Sequence, residues 1–376
     1  MYRFQLTTTL CYGPDSLTAL GTLDGRRVLV VTDAFMSTTP LMAKVRTELA
    51  GASAVEVFSD VKPNPDLTAV TEGLRAFLAF APDAIVALGG GSPIDTAKAV
   101  RKLALELGHR LPAGLIVIPT TSGTGSEVTS FAVITDEHHT KLPLTAVEML
   151  PEMAILDPEA VRTAPPKLTA DSGMDAVSHA IEAYVAKGSN DFSDALAEKA
   201  LRLADTSLVR AFRDGADADA RERQHNAATM AGIAFQNAGL GIVHSLSHAI
   251  GGSFRVAHGR LNAILLPAVI CFNAGDLGFR PHDVGPVARR YAALAKALGL
   301  SASTERNLVL ALNAWVEKLR TNLEMPATLT AAGVDRATFT AAVPALAATA
   351  HKDFCTSGNP VPATEKDLAA LLTRVV

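Results

Sequence analysis

The run 83–88, Asp-Ala-Ile-Val-Ala-Leu, is apolar without alternation and hands directly to three consecutive glycines, Gly89, Gly90 and Gly91. A strand that is apolar on both sides must be covered on both faces, which places it inside a parallel sheet flanked by helices rather than in an antiparallel sheet with one wet face. Two further runs, 27–33 and 114–119, are apolar and β-branched, and 54–58, which carries Glu56, reads as another strand. Between them lie a Pro63-Asn64-Pro65 turn and stretches of helical periodicity over 66–80 and 96–105. Strands separated by helices of about ten to fifteen residues are βαβ units. The first half therefore reads as a Rossmann-like α/β domain with a parallel sheet.

The pattern changes near Pro165-Pro166. Beyond it the apolar residues recur at helical spacing over 191–212, 221–237, 284–298 and 303–323, and β-branched runs are few. This predicts an α/β domain over 1–164 followed by an all-α domain over 165–376. Composition matters here mainly for what it excludes. A formal net charge of −4 offers no footprint for nucleic acid. The longest apolar run, 261–272, is interrupted by Asn262 and is far short of a membrane span. Cys11, Cys271 and Cys355 are scattered and odd in number, so they read as free thiols of a reducing cytoplasm. The opening residues read as the start of a strand, with no signal-peptide core behind them.

Two loops and two histidine-bearing stretches carry the chemistry. The triple glycine sits between a strand and a helix, with Ser92 suited to the N-cap, Pro93 to the first helical position and Asp95 to the third. Glycines let a backbone approach an anion, and a helix N-terminus offers N–H groups and a positive dipole end, so a phosphate or pyrophosphate fits there. A second small-residue loop, Pro119-Thr120-Thr121-Ser122-Gly123-Thr124-Gly125-Ser126-Glu127, also follows a strand and offers hydroxyls to a ribose or phosphate. Neither is a GxGxxG fingerprint. Asp33 ends the first apolar run, where a carboxylate can accept from a ribose 2′-hydroxyl and repel a 2′-phosphate, which favours NAD over NADP; its alternative is a simple turn cap. Lys141 is a lesser candidate for a ribose contact. In the second half, Asp175 and His179 are four residues apart, as are His244 and His248, and His258 follows ten residues later. Residues four apart share a helix face. Two such faces could gather around one divalent ion.

In order, G-G-G-S-P-I-D, P-T-T-S-G-T-G-S-E-V-T, L-D-P-E, G-M-D-A-V-S-H-A-I-E, H-S-L-S-H-A-I-G-G, H-G-R-L-N-A and C-T-S-G-N-P resemble the motifs of the iron-containing (group III) alcohol dehydrogenases. The resemblance runs from about Thr8 to Leu372. Within that family the stretches D-F-S-D-A-L-A-E-K-A and H-N-A-A-T-M-A-G-I-A-F-Q-N-A-G-L-G are most like the 1-propanol dehydrogenases of propanediol utilisation, with the ethanol dehydrogenases of ethanolamine utilisation next. The resemblance implies a dehydroquinate-synthase-like architecture and four metal ligands, Asp175, His179, His244 and His258. It makes His248 a neighbour of the metal rather than a ligand. It implies dinucleotide contacts at Asp33, Asn64, Gly90, Gly91, Ser92, Asp95, Thr120, Thr121, Thr124, Thr129, Phe131 and Lys141, and a pocket lined by Phe131, Phe235 and Cys355. Two positions depart from the pattern: Ser37-Thr38-Thr39-Pro40 replaces a common glycine, and Arg260 stands where an apolar residue is usual.

One carboxylate and three imidazoles make an N/O site compatible with Fe²⁺, Zn²⁺, Mn²⁺ or Ni²⁺, and the family implies Fe²⁺. The expected activity is NAD(H)-dependent interconversion of short primary alcohols and aldehydes, propanal and 1-propanol first, with His248 relaying the hydroxyl proton. Ethanol or lactaldehyde dehydrogenase is the alternative within the family. A lyase handling phosphorylated substrates would need a Lys/Arg cluster, and only Arg255 and Arg260 lie near the ligands. A metal-stabilised scaffold would not need Asp33 and two glycine loops. The expected partners are a small alcohol or aldehyde and a second copy of the chain, with neither nucleic acid nor membrane. The expected setting is the cytoplasm, including the interior of a bacterial microcompartment.

Overall fold

The computed structural model describes residues 3–136, 141–275 and 284–376. The chain divides into two compact units, one of Gln5–Pro165 with Gly215–Gly232, the other built mainly from Pro166–Asp214 and Ile233–Val376. A single cut at 164/165 therefore does not describe the molecule. Residues 215–232 belong with the α/β unit, because the partner of an amphipathic face is chosen by packing and not by its place in the chain.

The α/β unit holds eight strands among the described residues: β1 (Thr9–Tyr12), β2 (Arg27–Asp33), β3 (Ala54–Val61), β4 (Ala84–Gly89), β5 (Gly114–Pro119), β6 (Phe131–Thr135), β7 (Lys141–Thr145) and β8 (Met153–Leu156). Six form one sheet in the order β1-β8-β5-β4-β2-β3, and every pairing in it is parallel. The remaining two, β6 and β7, pair antiparallel. Three helices intervene: α1 (Pro40–Glu48), α2 (Leu67–Phe80) and α3 (Gly91–Glu106). Asp66 caps α2 by accepting from the Ala69 N–H at 2.8 Å.

Strand alternation separates the core into two layers. Val28, Val30, Val86, Leu88, Ile116 and Ile118 pack with Leu17, Leu20, Met42 and Val45 on one face of the sheet. Leu29, Val31, Ile85, Ala87, Leu115 and Val117 pack with Phe77, Ile94 and Val100 on the other. Both faces are dry, as the unalternating run 83–88 requires.

The register also sets the loops. Gly89 pairs with Pro119, so the glycine loop after β4 and the small-residue loop after β5 leave neighbouring strands at the same level. The Thr120 N–H donates to the Gly89 carbonyl at 2.9 Å and ties them together. Open parallel sheets bind ligands at this carboxyl edge.

The second unit is helical: α4 (Pro166–Val185), α5 (Asp191–Arg213), the end of α6 (Ala218–Ala238), α7 (Ile242–Ser253), α8 (His258–Asn273), α9 (Pro286–Ala297), α10 (Glu305–Asn322), α11 (Arg336–Lys352) and α12 (Glu365–Arg374). An α/β region followed by helices is the fold class expected from the sequence. Nearly every residue of α4 from Thr169 onward is buried, so it lacks the polar stripe of a surface helix. The chain breaks between α7 and α8, and His258 is the first residue of the new helix. Among the described residues, no helix is long and apolar enough to cross a membrane.

Candidate active site

Three helices of the second unit bring a carboxylate and two imidazoles together. Asp175 comes from α4, His244 from α7 and His258 from the start of α8, and their donor atoms all lie within 4.8 Å of one another. His179, one turn after Asp175, approaches its Oδ1 to 3.8 Å through Nε2. The His179 ring stacks on His244 at 4.5 Å and on Phe235 at 4.4 Å between centroids. Burial alone would raise the Asp175 carboxyl, but the imidazoles of His179 and His258 outweigh it and hold the group far below the usual carboxylate range. The carboxylate is therefore charged.

Glu182, a residue that the sequence motifs left without a role, orients His244. Its Oε2 lies 2.5 Å from His244 Nδ1 and its Oε1 accepts from the Val243 N–H at 2.7 Å. One carboxylate thus caps α7 and fixes the imidazole tautomer with Nε2 turned to Asp175. Burial pulls His244 down, and Glu182 and Asp175 more than reverse it, lifting the ring to about 9. The signal was readable: Asp175, His179 and Glu182 fall at i, i+4 and i+7 on one face of α4.

The donor set fits a cation. Asp175 Oδ1, His244 Nε2 and His258 Nε2 share one N–H₂ group, Asn262 Nδ2, at 2.7, 3.2 and 3.2 Å. The Oδ1 of that amide is buried with no partner among the described residues. Such a concentration of acceptors around a single donor is costly without a positive charge. One carboxylate with three imidazoles, once a cation displaces the proton that His244 holds in its absence, suits a divalent first-row metal.

Beside this cluster, His248 Nδ1 meets Asp353 Oδ2 at 2.9 Å, and its ring stacks on His258 at 5.3 Å. Asp353 Oδ1 also accepts from the Cys355 N–H at 2.9 Å. His248, Asp353 and Cys355 form a second group with donor atoms within 4.8 Å. Burial pushes the Cys355 thiol well above its ordinary range, which withholds the thiolate a metal would need. Asp353 already serves His248 and the Cys355 backbone. The trio is a hydrogen-bonded relay beside the cluster, and Cys355 presents a buried apolar sulfur.

In the α/β unit, the glycine loop begins α3 earlier than its sequence suggests. Gly90 is the N-cap, without a side-chain cap, and Gly91 is the first helical residue. The expected capping by Ser92, with Pro93 first and Asp95 third, is thus displaced by two residues, because the glycine backbone starts the helix unaided. Asp95 has a different duty: its Oδ1 accepts from Ser126 Oγ at 2.8 Å and its Oδ2 from the Val133 N–H at 2.9 Å. It ties α3 to the second loop and to β6.

Lys98, three residues on, is fully buried and donates to the carbonyls of Thr129 and Phe131 at 2.7 Å each. Burial lowers its ammonium to about 8 against the pull of Asp95 and Glu127. Glu127 accepts from Thr229 Oγ1 at 2.6 Å, and Ser122 Oγ lies 3.1 Å from His225 Nδ1. A Cβ at Gly232 would fall 2.8 Å from the Gly125 Cα. His225, Thr229 and Gly232 lie on one face of α6, so 215–232 is the seat of the second loop.

The glycines form a cradle. A Cβ at Gly90 would lie 3.1 Å from Thr121 Cγ2, and one at Gly91 would lie 3.2 Å from Thr124 Cγ2. Thr121 Oγ1 is buried with no partner among the described residues. The first-turn N–H groups of α3 lack intrahelical acceptors by construction. An anion bound here would meet these donors and the hydroxyl, so the loops fit a dinucleotide phosphate. Asp33 Oδ1 accepts from the Met36 N–H at 2.8 Å and so does cap the following turn. Asn64 takes φ 56° in its turn, and the next residue's carbonyl receives the Thr135 N–H at 2.8 Å. The Lys141 side chain lies outside the described residues.

Residues 7–158 match the family described as iron-containing alcohol dehydrogenase, and residues 169–376 match the Fe-containing alcohol dehydrogenase family, C-terminal. The chain is 39% identical over 380 residues to 1-propanol dehydrogenase PduQ of Salmonella typhimurium, covering 100% of both. It is 38% identical to the NADPH-dependent butanol dehydrogenase of Clostridium saccharobutylicum, covering 96% of this chain and 94% of that one. A crystal structure of 1,3-propanediol oxidoreductase superposes with a TM-score of 0.91 at 31% identity, covering 100% of both chains.

Proposed function

The chain belongs to the iron-containing alcohol dehydrogenase family, and we propose that it interconverts 1-propanol and propanal with NAD(H) and one divalent metal. The observation that carries this reading is the convergence of Asp175, His244 and His258 donor atoms within 4.8 Å. His179, stacked on His244, completes the proposed ligand set. A bound Fe²⁺ would supply Lewis-acid polarisation of the alcohol or aldehyde oxygen, and the nicotinamide the hydride acceptor or donor.

The protein's own residues do the rest. Glu182 holds His244 in one tautomer. Asp353 engages His248 Nδ1, which leaves Nε2 to exchange the hydroxyl proton. Phe235, buried against His179, excludes water from its side of the metal ligands. In the α/β unit, Gly90, Gly91, Ser92, Thr120, Thr121 and Thr124 cradle the phosphates. Asp95 and Lys98 hold the segments bearing Thr129 and Phe131, and Asp33 and Asn64 take the adenosine end.

Beside the ligand cluster, Phe235 and Cys355 offer a substrate no fixed charge. Arg260, one of two nearby cations, is committed to Asp171 through two 3.0 Å contacts. A phosphorylated or carboxylated substrate would leave its charge poorly paired. This argues against the lyase reading, and the glycine cradle argues against a scaffold. The same reading makes the working molecule a cytoplasmic homodimer, with a bacterial microcompartment as the setting that the propanol dehydrogenase likeness fits.

The test is kcat/KM for acetaldehyde, propanal, lactaldehyde and a phosphorylated aldehyde with NADH, on anaerobically prepared protein of measured metal content. Each methylene that finds apolar room gains up to ~0.8 kcal/mol. Propanal should therefore at least equal acetaldehyde, and lactaldehyde, whose hydroxyl has no partner, should fall below propanal. A phosphorylated or hydroxylated aldehyde as the best substrate would overturn the reading.

A further inference from the structure

The structure gives Arg260 a definite partner. The start of α8 meets α4 at three successive points. A Cβ at Gly259 would lie 1.8 Å from the Asp171 carbonyl oxygen and 3.1 Å from the Asp175 Cβ, so only glycine lets the helices come this close. Arg260 Nε and Nη2 donate to the two carboxylate oxygens of Asp171 at 3.0 Å each. Asn262 Nδ2 then donates to Asp175 Oδ1 at 2.7 Å. Asp171 and Asp175 are one turn apart on α4, so the ion pair and the amide contact act on one face.

His258 needs such an anchor more than the other ligands do. It opens α8 directly after the irregular residues 254–257, and first turns fray. Its side chain is 40% exposed, whereas those of Asp175 and His244 are 6% and 2% exposed. Burial fixes the latter two, whereas His258 depends on contacts: Ser247 Oγ, 3.0 Å from its Nδ1, orients the ring, and the seating of its helix turn sets where the ring stands.

We propose that Arg260 is a positioning residue for the metal site: its two-point pair with Asp171 holds the first turn of α8, and His258 with it, in register with Asp175. The pair keeps His258 Nε2 near Asp175 Oδ1, at 3.5 Å, so an arriving ion finds the ligands gathered. A guanidinium fork opposite a carboxylate fixes both distance and orientation, which a lysine ammonium does not. The proposal rests on the reading of Asp175 and His258 as metal ligands.

The experiment uses the full chain loaded with Co²⁺, comparing wild type with Arg260→Leu, Arg260→Lys and Asp171→Asn. Three quantities are read: the visible Co²⁺ spectrum, the rate of metal release to excess chelator, and the difference in Tm between metal-loaded and metal-free protein. Expected are release at least about tenfold faster in Arg260→Leu, a smaller loaded-minus-free Tm difference, and an altered spectrum. Arg260→Lys should fall between Leu and wild type. Asp171→Asn, nearly isosteric, should follow Arg260→Leu and decides the matter if the leucine variant does not fold. A purely structural pair would lower both Tm values equally and leave release and spectrum within twofold of wild type; that result overturns the proposal. Wild-type protein that takes up no stoichiometric metal overturns the ligand reading first, and the positioning role falls with it.

Discussion

The cofactor loops of the α/β unit and the ligand cluster of the helical unit are built on opposite principles. Around the loops, the side chains nearest the expected cofactor are small or absent, and the structured groups, Asp95, Lys98, Glu127 and His225, lie behind the loops and hold them. In the ligand cluster the side chains are the site, and carboxylates and amides behind them set their tautomers and spacing. The first site works by leaving room for an anion among backbone N–H groups. The second works by filling space with donor atoms. It follows that adding atoms damages the first and removing atoms damages the second.

The largest expected effect comes from removal at the cluster. His258→Ala should abolish stoichiometric metal binding and lower kcat/KM by about 10³-fold or more, since the lost charge stabilisation is several kcal/mol. The dissociation constant for NAD should stay within a few-fold, because nothing in the glycine loops is touched. Elemental analysis and calorimetric titration read the two halves separately. Full metal occupancy with normal turnover would remove His258 from the site.

Removal one step further out should cost less. Glu182→Gln keeps the shape but loses the charge that holds His244, and metal affinity should fall by about 10–100-fold. Competition with a chromogenic chelator measures it. An unchanged affinity would mean that the 2.5 Å contact between Glu182 Oε2 and His244 Nδ1 is not what orients the ring.

Addition at the loops is the complementary test. In Gly90→Ala the new methyl group meets Thr121 Cγ2 at 3.1 Å and occupies the cradle, so KM for NADH should rise about tenfold. Metal content should not move. At Gly89 the backbone is at φ 152° and a Cβ would fall 2.5 Å from Pro93 Cγ. Gly89→Ala should therefore destabilise the fold itself by about 1–3 kcal/mol, seen as a lowered Tm. Equal loss of metal and cofactor in either variant would erase the distinction between the two sites.

The smallest effect is at Asp33, which has two duties. Asp33→Gly should raise kcat/KM with NADP relative to NAD by about fivefold, because the repulsion it removes at this part-exposed carboxylate is roughly 1 kcal/mol. It should also cost up to about 1 kcal/mol of stability by freeing the Met36 N–H. A stability loss with an unchanged cofactor ratio would leave Asp33 as a turn cap alone.

Much of this was legible in the order of residues. The three buried strands β2, β4 and β5 showed as apolar runs because a sheet covered on both faces tolerates little else, whereas edge strand β3 carries Glu56. The glycines showed where a backbone must be approached, and the i, i+4 pairs showed which side chains share a helix face. Short strands were not legible. Thr9–Tyr12 and Met153–Leu156 are four residues each, too few for a period to declare itself, yet the second lies between β1 and β5 in the sheet.

Local chemistry alone determined the fold class, the loops and the clustering of donor atoms from the histidine stretches, because each depends on spacing within about one turn or one strand. Tertiary structure decided what each polar residue does. Asp95, expected to contact a dinucleotide, became with Lys98 one of the ties behind the loops. Asp171 and Arg260, 89 positions apart, became one contact, and residues 215–232 joined the α/β unit rather than the helices around them. A buried charge is stable only opposite its partner. The partner is chosen by how helices pack, which no window of sequence contains.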